Sequence, residues 1–164
     1  MPRPGQESAW DYPRPPALDL TSEHVVVRLG RTVVADTRRA VRVLETSHPP
    51  VYYVPRADVT STAVVAAPGA SSWCEFKGSA SYLDVRGVDD DGRAVLAPRS
   101  AWTYSTPSPG YEAIAGYVAF YPGRMTLCTV DDEEVEAQQG DFYGGWRTSR
   151  VVGPFKGGAG TTGW

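Results

Sequence analysis

Lys77, Cys74 and His48 are the residues of this chain whose types and settings best suit chemistry. Composition picks out the first of them. The sequence carries 14 arginines but only two lysines, Lys77 and Lys156. Both lie in the same context, Phe76-Lys77-Gly78-Ser79-Ala80 and Phe155-Lys156-Gly157-Gly158-Ala159. Lysine is a compact point charge whose pKa moves on burial, which arginine's does not. Lys77 can therefore pair with a phosphate or carboxylate, or work as a base if buried. The competing reading is a surface or structurally paired lysine. Cys74 can be a nucleophile if Lys77 or His48 lowers its pKa, although a free cysteine is more often a buried small hydrophobe. His48, in Thr46-Ser47-His48-Pro49-Pro50, sits on a stiff loop and suits acid–base work. His24 reads as a strand-edge residue and Cys128 as core.

A second group could bind rather than react. Arg42 would meet an anion through its bidentate fork, and Glu45 flanks the same strand as an ion-pair partner or pocket rim. Tyr53, Tyr82, Trp102, Tyr104 and Tyr117 form an aromatic set. On half-buried strands such residues are mostly core, yet a sheet lined by Tyr and Trp also builds small-ligand pockets.

Metal chemistry finds little support. Gly78-Ser79 followed by Asp89-Asp90-Asp91 has tolerable spacing for a polymerase-type transferase. However, Gly78-Ser79 precedes a strand pattern, and the acids run into Gly92 as a turn. Two cysteines and two histidines are countable as zinc ligands, but no Cys-x-x-Cys or His-x₃-His pair supports them. No Walker-type loop is present, and the sequence names no cofactor.

The elements that must position these residues read as strands. His24–Leu29 and Thr32–Asp36 flank Gly30-Arg31 as a hairpin. Val41–Glu45, Val51–Val54, Thr62–Ala66, Ser79–Arg86, Arg93–Leu96 and Ala101–Tyr104 follow, with one helical turn at Pro55–Val59. Gly116–Tyr121 and Met125–Val130 flank Pro122-Gly123 as another hairpin. About nine or ten short strands with little helix predict an all-β roll or open barrel. The predicted organisation is an extended arm over 1–22, a β domain over 23–139 and a Gly- and aromatic-rich extension over 140–164 packed on it.

The 164 residues suffice for one domain with a core. The net charge of −3 and the lack of a basic run argue against nucleic acid. No stretch approaches the roughly 20 apolar residues that span a bilayer, and the N-terminus lacks the apolar core of a secretion signal. A cytoplasmic location with free thiols is the expectation. Oligomeric state has no signature.

Four motifs in order carry a resemblance: Val43-Leu44-Glu45-Thr46-Ser47-His48-Pro49-Pro50-Val51-Tyr52-Tyr53-Val54-Pro55-Arg56, Cys74-x-x-Lys77-Gly78-x-Ala80-x-Tyr82, Ala101-Trp102-x-Tyr104, and Ile114 through Tyr121. Together they resemble domain-of-unknown-function family 427, catalogued as nucleotidyltransferase-like, over roughly residues 24–136. The run from Gly144 to Gly158 is similar to an extension of bacterial members. The resemblance implies a compact domain of the β-tent sort. The chain departs from the family pattern at Glu75, where proline is expected.

The combined expectation is a small-ligand or nucleotide-binding β domain, with an aromatic-lined pocket and Lys77, helped by Arg42 or His48, at the ligand's anionic end. The alternatives are an enzyme using Cys74 or His48, and a protein-interaction module using the aromatic tail.

Overall fold

Tyr52 and Tyr53 are neighbours in sequence and are buried in different cores. That is the two-residue period of a strand with both faces covered, and it organises the molecule. The computed structural model describes residues 2–74, 77–139 and 144–157, with only the backbone for 70–74.

Strands β1 (Glu7–Ser8) and β2 (Ala17–Leu20) lie in the N-terminal segment. β3 (Val25–Leu29) and β4 (Thr32–Thr37) form the hairpin expected around Gly30-Arg31. β5 (Val41–Leu44) and β6 (Val51–Val54) are joined by the loop that carries His48. β7 (Val64–Cys74), β8 (Gly78–Val88) and β9 (Ala94–Thr103) make a long meander. β10 (Val118–Phe120), β11 (Leu127–Val130), β12 (Glu133–Glu134), β13 (Glu136–Ala137), β14 (Trp146–Arg147) and β15 (Val151–Val152) complete the set. The fold is all-β, and no sheet closes into a barrel. Ten of these strands have three or more residues, and each helix among the described residues is a three-residue turn, including Arg56–Asp58 where one helical turn is expected. None of those helices is long and apolar enough to cross a membrane.

A seven-stranded sheet runs β2-β5-β6-β10-β9-β8-β7, and a four-stranded sheet runs β12-β11-β3-β4. Val25, Val27 and Val34 of the smaller sheet pack with Tyr52, Val54, Leu83, Val85, Val118 and Phe120 of the larger one. Cys128 is buried in this core, which pushes its thiol up to about 12. On the far face of the larger sheet, Val41, Val43, Tyr53, Trp102 and Ala119 form a second core, covered by Tyr111 and Ile114.

Two sequence readings change. Pro122-Gly123 does not close a hairpin. Residues Pro122–Arg124 form a 3₁₀ turn that passes the chain from β10 in the large sheet to β11, which pairs with β3 in the small one. Proline supplies no N–H for a ladder, so the chain leaves the sheet there. The expected short strands at 62–66, 79–86, 93–96 and 101–104 merge into three long ones, because bulges let them bend without breaking. At one bulge Arg99 takes φ 50, and its N–H donates to the Asp84 carboxylate at 2.9 Å. The acidic run Asp89–Gly92 is the tight turn between β8 and β9: Asp89 Oδ1 accepts the N–H groups of Asp91 and Arg93.

The N-terminal segment joins the large sheet from Ala17 onward through β2–β5 pairing. In the C-terminal segment Trp146 is completely buried, donates its ring N–H to the Phe120 carbonyl at 3.1 Å and stacks on Tyr52. Phe142, Tyr143 and Trp164 of the aromatic tail lie outside the described residues.

Gly30 of the smaller sheet, with φ +59, bridges to Val88 of the larger one. A Cβ there would lie 2.2 Å from the Val88 carbonyl oxygen. Gly30→Ala is therefore expected to cost about 2 kcal/mol from overpacking and the left-handed backbone together, read as a lowered urea midpoint at unchanged slope.

Candidate functional site

The loop between β5 and β6 gathers more chemistry than any other described segment. It begins with Glu45-Thr46-Ser47-His48 and ends in the buried Pro49-Pro50 pair. The His48 N–H returns to the Glu45 carbonyl at 3.0 Å, closing a turn. Within it Ser47 takes φ 68, in the left-handed region that a serine enters at a cost of about 1 kcal/mol. Its side chain is fully buried, and its hydroxyl has no hydrogen-bond partner among the described residues.

Both ends of the chain hold this loop. Thr46 and Ser47 donate their N–H groups to the carbonyls of Pro13 and Ala9, at 3.1 and 3.0 Å. Arg14 Nη2 donates to the Thr46 carbonyl at 3.2 Å and lies 3.4 Å from Glu45 Oε2. From the other end of the chain, Lys156 donates its N–H to the Ser47 carbonyl at 2.8 Å.

His48 Nδ1 lies 2.9 Å from the Thr46 carbonyl and 3.9 Å from Glu45 Oε2. A carbonyl only accepts, so Nδ1 carries the proton, and the tautomer is set. Burial pulls the imidazole pKa below its ordinary value; the Thr46 carbonyl and Glu45 oppose this, while the charges of Lys156 and Arg14 add to it. At neutral pH His48 is an uncharged imidazole beside Glu45, under the influence of the Lys156 and Arg14 charges.

Arg42 is placed differently from its expected role. Only 2% of its side chain is exposed, and its fork is filled from within the chain. Nε and Nη2 meet Asp19 Oδ2 at 2.9 and 2.8 Å, and Nη1 and Nη2 meet the two Glu7 oxygens at 3.0 and 3.2 Å. The charges then alternate outward: Arg150 bonds Glu7 at 3.0 Å and Glu23 at 2.8 Å. Tyr12 donates to Glu7 at 2.6 Å, and Tyr52 donates to Glu23 at 2.9 Å. Burial alone would raise the Glu7 pKa, but the hydrogen bonds of Arg42 and Tyr12 and the charges of Arg42 and Arg150 hold it at about 2. Burial, followed by the neighbouring carboxylate, lifts both tyrosines well above their ordinary range.

The aromatic set converges on the second core. Trp102 donates its ring N–H to the Tyr53 hydroxyl at 3.0 Å, with the two rings edge-on. Tyr104 packs on Tyr53, and Tyr121 packs on Trp102 with centroids 4.6 Å apart. Gly144 lies flat on Trp102: a Cβ there would sit 2.2 Å from the indole ring. Tyr53, Trp102 and Tyr104 are buried, whereas Tyr82 and Tyr117 are half-buried at the margin.

Lys77 occupies the tip of the β7–β8 hairpin. Its carbonyl accepts the Ser108 N–H at 2.9 Å, and Gly78, at φ +102, leaves Ser108 Oγ only 3.2 Å from where a Cβ would be. Its ammonium group makes no ion pair among the described residues, and the residue is half-exposed. β5 and β8 run in the same direction, so His48, which follows β5, and Lys77, which precedes β8, leave the sheet at opposite strand ends. The backbone of Cys74 pairs with Gly78, while its side chain and the Glu75 departure lie outside the described residues. An open groove of about 550 Å³ runs between the arm and the loop after β9, lined by Pro15, Pro16, Leu18, Pro109 and Tyr111. Arg14 adjoins one wall in sequence and Ser108 the other.

The structure thus brings Glu45 and His48 together, separates both from Lys77 along the sheet, and spends Arg42 on Glu7 and Asp19. Sequence reasoning missed Arg14, Ser47 and Lys156 at the loop. Only Lys156 had left a signal, through the scarcity of lysine.

No curated protein matches the chain. A family model described as a domain of unknown function, DUF427, and named as nucleotidyltransferase-like, matches residues 17–131. That span contains β2 to β11, the His48 loop and the Lys77 hairpin, and it covers well over half of the chain: the protein belongs to the DUF427 family.

Proposed function

We propose that this domain binds a small anionic molecule beside the Glu45–His48 loop, with Arg14, His48 and Lys156 meeting the anionic end. The observation that carries the reading is convergence: two cations and a neutral imidazole reach one loop from three distant parts of the chain. The groove between Pro15–Leu18 and Pro109–Tyr111 has a volume in the range of small-ligand sites and would take the apolar part, with half-buried Tyr82 and Tyr117 the members of the aromatic set nearest solvent. A nucleotide is one such anion. The Asp89–Asp91 run offers no support for metal-assisted transfer, since Asp89 is occupied in capping its own turn.

Lys77 carries a second reading, in which the anion sits at the hairpin tip, because that ammonium has no carboxylate partner among the described residues. A neutral His48 of fixed tautomer would suit a general base for an anion held at its own loop, and not for one at the hairpin tip.

A thermal-shift panel of nucleoside triphosphates, nucleotide sugars, inorganic phosphate and simple carboxylates separates these readings. A ligand at about a hundred times its Kd adds roughly 2.7 kcal/mol, hence roughly 5–10 °C for a chain of this size. The expected result is a shift abolished in Lys156→Ala and retained in Lys77→Ala. The reverse pattern moves the site to the hairpin tip, and no shift with any anion discards both.

A further inference from the structure

Residues 2–16 and 144–157 lie outside the family match, and they meet each other. β1 pairs parallel with β15, Glu7 against Val151. Gln6 Nε2 donates to the Ser149 carbonyl at 2.7 Å, Trp10 Nε1 to the Pro154 carbonyl at 2.9 Å, and the Glu7 N–H to the Arg150 carbonyl at 2.7 Å. Beneath these bonds Ala9, Tyr12 and Val151 make a small apolar cluster with Leu44 and Phe155. Neither β1 nor β15 exceeds two residues, so neither would persist without the other.

Glu7 joins this pair to the rest of the fold. Its two oxygens accept from Arg42 of β5, Arg150 of the C-terminal segment and Tyr12 of the arm. The remaining charged groups of the network, Asp19 on β2 and Glu23 before β3, sit on the two guanidinium groups rather than on Glu7. The same terminal segments grip the His48 loop, through Ala9 and Pro13 on one side and Lys156 on the other. Ser47 keeps a left-handed backbone and a buried hydroxyl without a hydrogen-bond partner among the described residues, a combination that survives only where the surroundings impose it.

We propose that the two ends of the chain form one latch, keyed by the Glu7 carboxylate between Arg42 and Arg150, which closes over the Ser47–His48 loop and opens as a unit. Opening lets Ser47 leave the left-handed region and hydrate its hydroxyl, and it bares the His48 imidazole. The latch comprises residues 6–14 and 148–156, with Trp146 staying in the core; it is a low-stability element set on a stable sheet, the kind that opens locally without global unfolding. It stands on contacts within the chain, whatever ligand the loop receives.

Native-state hydrogen exchange on Glu7→Gln tests it. The amides of Glu7, Thr46, Ser47 and Lys156 should exchange at least tenfold faster, all by the same factor, while those of Val118–Phe120 keep their wild-type rates. Diethyl pyrocarbonate should modify His48 faster and His24, on the other sheet, no faster. If the Lys156 amide stays protected while Glu7 is released, the ends are independent and the proposal fails. It also fails if Thr46 and Ser47 keep their protection. Should Glu7→Gln accelerate exchange across the whole sheet, Arg150→Gln, which leaves Arg42 with both carboxylates, must show the same joint release; separate release there overturns the latch.

Discussion

Trp146→Ala should lower the stability of this domain by about 3–5 kcal/mol, a drop of roughly 6–20 °C in Tm for a chain of this length. Among the described residues Trp146 is the largest completely buried side chain, in the core shared by the two main sheets. Its ring lies 5.1 Å from that of Tyr52, and its N–H satisfies the Phe120 carbonyl within the large sheet. Alanine would leave a void of nearly a whole indole and an unpaired buried carbonyl. Neighbouring backbone cannot collapse into it, because Gly145 is already wedged against Gln138 and Pro49, with a Cβ position only 2.5 Å from each. Trp146→Phe keeps much of the volume and loses the hydrogen bond, so about 1–2 kcal/mol is expected. Differential scanning calorimetry decides the matter. A Trp146→Ala protein melting within two or three degrees of wild type, as a flexible appendage would allow, contradicts a structural role.

The second large effect belongs to Arg42. Breaking a buried ion pair by removing one partner commonly costs about 3–5 kcal/mol. Here Glu7 and Asp19 are 31% and 40% exposed and can partly rehydrate, which places Arg42→Ala near the low end, about 3 kcal/mol. Arg42→Lys should recover less than half of that loss, since one ammonium cannot serve two carboxylates in the fork geometry. The network also predicts a pH dependence. Folding holds the Glu7 carboxyl at about 2, and unfolding returns it toward 4.5. Below 4.5 the unfolded chain therefore binds a proton that the folded one refuses. The stabilisation is complete above about pH 4.5 and drains away as the pH falls toward 2. Its size is at most about 3 kcal/mol, reduced by solvent screening to roughly 1–2. Urea midpoints between pH 2 and 6 should slope less steeply in Glu7→Gln than in wild type, and equal slopes would assign acid sensitivity to other carboxylates.

Arg42 also shows where sequence reading stops. A lone arginine on an alternating strand reads as a hand held out to a ligand, and nothing nearby in sequence says that its partners are Glu7 and Asp19. Arg150 and Glu7 are 143 residues apart. Features closed by local geometry were legible: the turn at Gly30-Arg31, the strand at Val51–Val54, the capped turn after Asp89 and the stiff His48 loop. Tyr52 and Tyr53 announced a strand but not that both faces were buried. Partners chosen by the layers rather than by neighbouring residues were not legible. Thus β11 crosses to β3 although Pro122-Gly123 looks like a hairpin turn, and Asp84 with Arg99 hides a bulge inside a continuous strand. At the site, Glu45 and His48 share one short loop, although the sequence set Glu45 beside Arg42 and His48 apart as an acid–base candidate. Arg14 and Lys156 reach it only because the ends of the fold converge there.

That convergence has a consequence for biosynthesis. At about 5–20 residues per second, Arg150 leaves the ribosome roughly 7–30 s after Glu7, the residue it must bond. Late in that interval the nascent chain holds a sheet without Trp146 and a Glu7 carboxylate that still lacks Arg150. The domain cannot finish folding until the stretch through Arg150 has cleared the exit tunnel. A stalled or truncated product ending before Trp146 would present an open β-sheet core to quality control.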